Sequence, residues 1–202
     1  IIDPEFINNE DPVEMSKKVL AGGAKIIQLR NKIGTTLDTI KWGTEISNLC
    51  NEYEAISIIN DRVDIAIIAQ AHGVHLGVDD LPVPDARKIL TQNQIVGCSS
   101  HTLEEALTAN VNLPDYIAVG AMYPTTAKDQ PIVGGPPLLK RIRSLINLPL
   151  VAIGGITQEN VGAVVQAGAD AICVISAIGL AANPKDATER LRKSIKLAGG
   201  KT

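Results

Sequence analysis

Five charged side chains in this 202-residue sequence follow short apolar runs and are of the types that bind a metal ion and phosphates. Asp61 and Asp80 are the acidic members, and Arg30, Lys32 and Lys128 are the basic ones. Magnesium prefers oxygen ligands and is usually held by one or two carboxylates together with substrate phosphates. Lysine and arginine neutralise the remaining phosphate charge. If these residues meet on one surface, they describe a Mg2+–diphosphate site better than a general acid–base pair.

The elements that must position these residues alternate regularly along the chain. Short runs rich in β-branched residues are followed by polar loops and then by amphipathic segments. The predicted strands are Ile1–Ile2, Lys25–Leu29, Ile56–Ile59, Gly73–Leu76, Gln94–Gly97, Tyr116–Val119, Leu150–Ile153 and Ala171–Ile175. The predicted helices lie near residues 11–21, 36–52, 62–70, 84–91, 102–110, 136–146, 158–167 and 184–197.

This alternation predicts an α/β fold, a compact (β/α)8 TIM barrel, with residues 1–202 in a single domain. Typical barrels have ~250 residues, so this one is small. A doubly wound open sheet is the main alternative, but its usual GxGxxG motif is absent after the first strand. Only Ile1 and Ile2 represent the first strand, so we expect the natural N-terminus to be trimmed or to start earlier.

A barrel places catalytic residues at the carboxyl ends of its strands and on the loops that follow. Polar residues collect at those positions in this sequence, and Asp61 and Asp80 are therefore expected to hold one metal ion from adjacent strands. Each has a structural alternative, because Asn60–Asp61 is also typical of a helix cap and Asp79–Asp80 of a solvated turn. The basic residues, likewise, are compatible with simple rim charges. Their joint occurrence on one face favours the functional interpretation.

A second group of residues predicts a phosphate site at the other side of the barrel mouth. Gly154–Gly155 follows the seventh predicted strand and Ser176 follows the eighth. Barrels frequently bind phosphate with these two loops, and glycine lets backbone N–H groups approach the anion. A tight turn is the alternative for the glycine pair. The loop over residues 123–137 is long enough to act as a lid that carries Lys128. Two phosphorylated substrates indicate a transferase.

Composition excludes several other classes of protein. The net charge of −3 argues against a nucleic-acid-binding surface. We find no apolar run of transmembrane length and no signal peptide, so we expect a cytoplasmic protein with no membrane partner. Of the three histidines, His75 lies within a predicted strand and is interpreted as a structural histidine with satisfied hydrogen bonds.

Seven segments together resemble the thiamine phosphate synthase family, in the family's order and over nearly the whole chain. They are QLRNK, NDR, GVHLGVDD, GCSSHT, DYIAVGAMYPTTAK, AIGGIT and VISAI. The resemblance implies a (β/α)8 barrel that joins hydroxymethylpyrimidine diphosphate to a thiazole phosphate, with Mg2+ required. Its products are thiamine phosphate and diphosphate. Dimers are common among such barrels, so a homodimer is left open.

The resemblance also implies roles for individual residues. The expected metal ligands are Asp61 and Asp80. The expected catalytic residues, which stabilise the departing diphosphate, are Arg30, Lys32 and Lys128. The expected ligands of the pyrimidine diphosphate are Gln28, Leu29, Arg30, Asn31, Lys32, Asn60, Ser99 and Lys128. The expected residues of the thiazole phosphate site are Thr125, Thr126, Ala127, Gly155, Ile175 and Ser176.

Two positions depart from the family pattern. Val78 stands where the family usually has glutamine, and Ala127 where it has a second threonine. Loss of one hydroxyl donor at Ala127 is expected to cost roughly 0.5–1.5 kcal/mol of phosphate binding. A thiazole tautomerase of the same fold is the second interpretation, although it is not expected to keep the full QLRxK, NDR and second-aspartate set. A non-catalytic phosphate-binding barrel is the third.

Overall fold

Parallel strands alternate with helices in a computed structural model that describes residues 1–127 and 132–200. The strands are β1 (Ile26–Leu29), β2 (Ile56–Asn60), β3 (Gly73–Leu76), β4 (Ile95–Ser100), β5 (Tyr116–Val119), β6 (Leu150–Ile153) and β7 (Ala171–Cys173). The helices are α1 (Pro12–Ala21), α2 (Thr36–Glu52), α3 (Val63–Ile68), α4 (Val83–Ile89), α5 (Leu103–Val111), α6 (Gly135–Arg143), α7 (Val161–Gln166), α8 (Ser176–Gly179) and α9 (Pro184–Leu197). Strands that are consecutive in the chain are neighbours in one sheet, and every pair is parallel. The predicted α/β class is confirmed.

The first predicted strand differs from expectation. Within the described residues the sheet has seven strands, because Ile2 forms only an isolated parallel bridge to Leu29. The Ile2 N–H donates to the Gln28 carbonyl at 2.8 Å, and the Arg30 N–H donates to the Ile2 carbonyl at 2.9 Å. On the other side, the amino group of Ile1 donates to the Val174 carbonyl at 2.8 Å. These two residues therefore bridge β1 and the end of β7 without forming an extended strand of their own.

Side chains alternate between two faces of the sheet, as the pleat of a β-strand requires. Leu29 and Ile59 are each 1% exposed and pack towards α2. A Cβ built on Gly43 of α2 would lie 3.0 Å from Cδ1 of Ile59, which shows how closely the helix approaches the sheet. Gln28 and Asn60, one residue away along the same strands, line an internal cavity instead. The outer face thus packs in the hydrophobic core, whereas the inner face carries apolar residues such as Ile58 and Val151 together with the polar Gln28 and Asn60.

Local capping fixes where the helices begin and therefore holds the loops before them. Thr35 and Asp38 form a reciprocal capping box at the start of α2, which ties down the loop that follows β1. Thr102 caps α5 by accepting from the Glu105 N–H at 3.1 Å. Among the described helices, none combines the length and apolar character needed to cross a membrane.

Substitution of Ile117 tests whether the outer face of the sheet forms the hydrophobic core. Ile117→Ala is expected to lower the free energy of unfolding by about 2–5 kcal/mol, because it removes buried methyl groups and leaves a cavity. Val111→Ala is the control, since Val111 is 77% exposed at the end of α5. It is expected to change stability by no more than about 0.5 kcal/mol. Urea unfolding measures both, and equal losses would contradict the position of Ile117 in the core.

Candidate active site

The inner face of the sheet lines a cavity of about 1090 Å3, which extends from the amino ends of the strands to the loops at their carboxyl ends. Most of the predicted site residues border it. They are Gln28, Arg30, Lys32, Asn60, Asp61, Asp80, Ser99, Thr125, Ala127, Gly155, Ile175 and Ser176. The parallel strands bring these residues together because their carboxyl ends meet at the same edge.

The remaining predicted site residues are Leu29, Asn31, Thr126 and Lys128. Leu29 packs in the outer core, so only its backbone is available to a ligand on the inner face. Asn31 supports its own loop, where its Nδ2 donates to Thr39 Oγ1 at 2.9 Å and its Oδ1 accepts from the Gly34 N–H at 2.8 Å. Thr126 is exposed and does not border the cavity. Lys128 lies outside the described residues.

The two predicted metal ligands lie close enough to change each other's pKa. Burial opposes ionisation of Asp61, but its hydrogen bonds with Lys32 and Asp80 outweigh burial and lower its pKa below the ordinary value. Burial and the neighbouring Asp61 raise the pKa of Asp80. Lys32 Nζ donates to Asp61 Oδ2 at 2.5 Å, and the Gly77 N–H donates to Asp80 Oδ2 at 2.7 Å. Two carboxyl groups in contact favour one shared proton or one shared cation.

The backbone of Asp61 explains how its carboxylate reaches this position. Its φ of 63° lies in the left-handed region, which aspartate tolerates better than most residues. Its N–H donates to the His75 carbonyl at 2.7 Å, which anchors it to β3. The alternative interpretation of Asp61 as a helix cap is wrong, because Arg62 is the N-cap of α3 and no side chain caps that helix.

Arg30 has a partner that the sequence did not indicate. Its Nη1 forms an ion pair with Oδ2 of Asp3, whose side chain is completely buried, while the Arg30 side chain is 15% exposed. Asp3 also accepts from the Glu5 N–H at 3.1 Å. The residues are 27 positions apart, and the Asp-Pro sequence at the start of the short 3-10 turn Pro4–Phe6 was the sole local signal. Asp3 therefore holds the Arg30 guanidinium at the cavity wall.

Glycine residues shape the predicted phosphate side of the cavity. Gly154 and Gly155 have φ values of 99° and 62°, which favour glycine strongly. A Cβ built on Gly155 would lie 2.5 Å from the Pro124 carbonyl oxygen, so the loop after β5 packs directly on this turn. Ser176 begins the short helix α8, which was not predicted. The glycine pair is thus a tight turn, and its backbone also borders the cavity.

Comparison with known protein families decides which family this arrangement represents. The family described as thiamine monophosphate synthase matches residues 1–178. The chain belongs to this family.

Relatives in the thiamine monophosphate synthase family match nearly the whole chain. Thiamine-phosphate synthase from Chlorobium phaeovibrioides is 44% identical over 184 residues, which cover 89% of this chain and 87% of the relative. The enzyme of the same name from Moorella thermoacetica is 40% identical and covers 100% of this chain and 96% of its own length. Thiamine phosphate pyrophosphorylase from Pyrococcus furiosus superimposes with a TM-score of 0.90 at 37% identity, covering 98% of this chain and 95% of its own.

More distant structures share the fold alone. A 3-hexulose-6-phosphate synthase superimposes with a TM-score of 0.69 at 20% identity and covers 96% of this chain and 95% of its own. Its similarity shows that strand–helix units of this kind support other reactions on the same scaffold. The fold alone therefore does not determine the reaction, which depends on the residues in the cavity.

The ion pair between Asp3 and Arg30 predicts a measurable contribution to stability. Asp3→Asn keeps an acceptor for the Glu5 N–H but leaves Arg30 without its counter-charge. We expect a loss of about 2–3 kcal/mol, because removing one partner of a buried ion pair leaves the other poorly solvated. Asp64→Asn is the control, since Asp64 pairs with Arg62 on the surface. Such a pair is worth at most about 1 kcal/mol.

Urea unfolding at neutral pH measures the two aspartate variants side by side. A loss for Asp3→Asn no greater than that for Asp64→Asn would show that the Asp3–Arg30 pair is not a buried anchor.

Proposed function

We propose that this chain is a thiamine-phosphate synthase, which joins a hydroxymethylpyrimidine diphosphate to a thiazole phosphate and releases diphosphate. Membership of the thiamine monophosphate synthase family supports the reaction. The observation that carries the assignment of the site is that Lys32 Nζ lies 2.5 Å from Asp61 Oδ2 and that Asp61 and Asp80 are close enough to change each other's pKa. Both aspartates border the cavity that Gly155 and Ser176 also border. The family relatives do not favour the tautomerase or binding-only interpretations.

The carboxylate pair fits the Mg2+ ion that the resemblance implies. Among the described residues no group of three or more acidic, histidine or cysteine side chains is arranged to hold a metal. Among the described residues, Asp61 and Asp80 are the pair that would supply the protein ligands. Mg2+ is commonly held by one or two carboxylates, with water and substrate phosphates completing the shell. When bound, the ion supplies positive charge to the departing diphosphate.

During the reaction, the protein side chains stabilise the charge that develops on the departing diphosphate. The bond between the pyrimidine methylene carbon and the diphosphate oxygen breaks, and its electron pair leaves with the diphosphate. The thiazole nitrogen then forms the new C–N bond with its own lone pair, so no proton needs to be removed. Arg30, Lys32 and Lys128 stabilise the negative charge on the leaving group. Because no proton has to be removed, the reaction suits a site that contains cations and carboxylates and needs no general base.

The remaining site residues position the two substrates, which is a large part of the catalytic effect in a reaction of this kind. We assign Gln28, Asn31, Asn60, Ser99 and the backbone of Leu29 to the pyrimidine side. We assign the loop of Thr125, Thr126 and Ala127, together with Gly155, Ile175 and Ser176, to the thiazole phosphate. Ala127 is 8% exposed, and its N–H donates to Thr125 Oγ1 at 3.2 Å, which holds this loop together.

We further propose that the sheet is a closed (β/α)8 barrel in one domain. The hydrogen bonds of Ile1 to Val174 and of Ile2 to β1 support closure, because these two residues connect the edge strands. The single hydrophobic cluster that runs through the helices and the outer face of the sheet supports one domain.

Product formation tests the proposed reaction directly. The purified protein is incubated with both phosphorylated substrates, with and without Mg2+, and thiamine phosphate is followed by mass spectrometry. We expect product only when Mg2+ is present. No product under any condition would refute the synthase reaction, and metal-independent product would refute the role of the ion.

The carboxylate pair predicts a specific pattern among three neighbouring aspartates. Asp61→Asn and Asp80→Asn are each expected to lower kcat by about 100-fold or more, because electrostatic stabilisation of a leaving group is typically worth that much. Asp79→Asn is the matched control, since Asp79 is adjacent to Asp80 and also borders the cavity, but it is exposed and does not shift the pKa of either carboxylate. Steady-state rates at saturating Mg2+ measure all three. A drop of the same size for Asp79→Asn would contradict the assignment.

A further inference from the structure

A row of three residues crosses the inner face of the sheet beneath the cavity. His75 on β3 is the register partner of Gly97 on β4, and Gly97 is the register partner of Tyr116 on β5. A Cβ built on Gly97 would lie 1.9 Å from Cζ of Tyr116. Glycine thus leaves the space in which the two rings meet, and they stack with centroids 5.6 Å apart and an interplanar angle of 16°.

The imidazole of His75 has a hydroxyl group within hydrogen-bond distance of each ring nitrogen. Its Nδ1 lies 3.0 Å from the hydroxyl of Tyr116, and its Nε2 lies 3.0 Å from Oγ of Ser99. Ser99 is two residues beyond Gly97 on β4, so its side chain lies on the same face and closer to the carboxyl edge. His75, Tyr116 and Ser99 all border the cavity.

The direction of these hydrogen bonds follows from what each hydroxyl group can reach. Burial raises the pKa of Tyr116, so the phenol keeps its proton. Within the described residues its hydroxyl has one hydrogen-bond partner, Nδ1 of His75. If Nδ1 carried the proton, the buried phenol O–H would lack an acceptor, which is costly. The phenol therefore donates to Nδ1, and a neutral His75 carries its proton on Nε2 and donates it to Ser99 Oγ.

This direction determines what Ser99 offers to a ligand. A serine hydroxyl has one proton, and the bond from His75 occupies an acceptor position on Oγ. The proton of Ser99 is then free to point into the cavity. A ligand atom that meets Ser99 must accordingly be an acceptor.

We propose that Tyr116 and His75 are positioning residues that fix Ser99 as a hydrogen-bond donor, so that the site selects a ring nitrogen of the pyrimidine. The substrate part of this inference rests on the proposed function, because that function places the pyrimidine at Ser99. An aminopyrimidine presents ring nitrogens as acceptors and an exocyclic amine as a donor. Ser99 held as a donor favours the edge that presents a ring nitrogen.

The tautomer of His75 tests the positioning without substrate. Nitrogen-15 NMR of the free protein at neutral pH distinguishes a protonated ring nitrogen from an unprotonated one, and His75→Gln assigns the resonances among the three histidines. We expect the Nε2–H tautomer in the wild type and loss of that preference in Tyr116→Phe. An Nδ1–H tautomer or a doubly protonated ring would overturn the proposal.

Kinetics test the consequence for the substrate. Ser99→Ala is expected to raise KM for the pyrimidine diphosphate about three- to tenfold, with kcat and KM for the thiazole phosphate little changed, as expected for the loss of one hydrogen bond. Tyr116→Phe should raise the same KM about threefold, and it should add nothing in the Ser99→Ala background. If the effects of Tyr116→Phe and Ser99→Ala on KM are additive, Tyr116 does not act on Ser99 through His75 and the proposal is overturned.

A second serine–histidine pair in the chain provides the matched control. Ser57 Oγ lies 2.9 Å from Nδ1 of His72, and neither residue borders the cavity. Ser57→Ala should leave KM for the pyrimidine diphosphate unchanged, and a rise equal to that of Ser99→Ala would overturn the proposal. If the wild-type protein forms no thiamine phosphate, the proposed function fails, whereas the NMR result still decides whether Ser99 is held as a donor.

Discussion

Asn60 and His75 are register partners on β2 and β3, and this parallel pairing determines where the two carboxylates meet. The chain leaves β2 at Asp61, whose N–H is bound by the His75 carbonyl, so Asp61 cannot move independently of β3. Asp80 returns to the same place because its carboxylate accepts from the Gly77 N–H directly after β3. A shift of one residue in this register would point His75 and Asn60 to the opposite face of the sheet. The metal site that we propose and the orientation of Ser99 both depend on that register.

The two predicted catalytic cations that the structure describes, Arg30 and Lys32, each have an acidic partner within the protein. Arg30 is paired with buried Asp3, and Lys32 is paired with Asp61, while Asp61 and Asp80 affect each other's pKa. A divalent cation bound by the two carboxylates, as we propose, would neutralise Asp61 in place of Lys32. Lys32, which is about half exposed, is then available to a phosphate group. Arg30 stays anchored because Asp3 is not part of the carboxylate pair.

The sequence predicted those features that depend on local pattern. Strands β1 to β7 follow from apolar runs, and the site residues follow from the polar positions at their carboxyl ends. Asp3 was missed because its partner Arg30 is 27 positions away and no local pattern links the two. Tyr116 was missed for the same reason, since its contact with His75 depends on the space left by Gly97 on the strand between them. His75 was correctly predicted to have satisfied hydrogen bonds, but alternation alone did not show which face it occupies.

The position of the divalent cation is the most direct test of this account. Mn2+ accepts the oxygen ligands that Mg2+ does and is visible by its anomalous X-ray scattering. We predict that crystals grown with Mn2+ and the pyrimidine diphosphate will show one ion bound by carboxylate oxygens of both Asp61 and Asp80, with the diphosphate completing its shell. An ion that contacts neither aspartate, or a diphosphate bound at the Gly155 side of the cavity, would contradict the account.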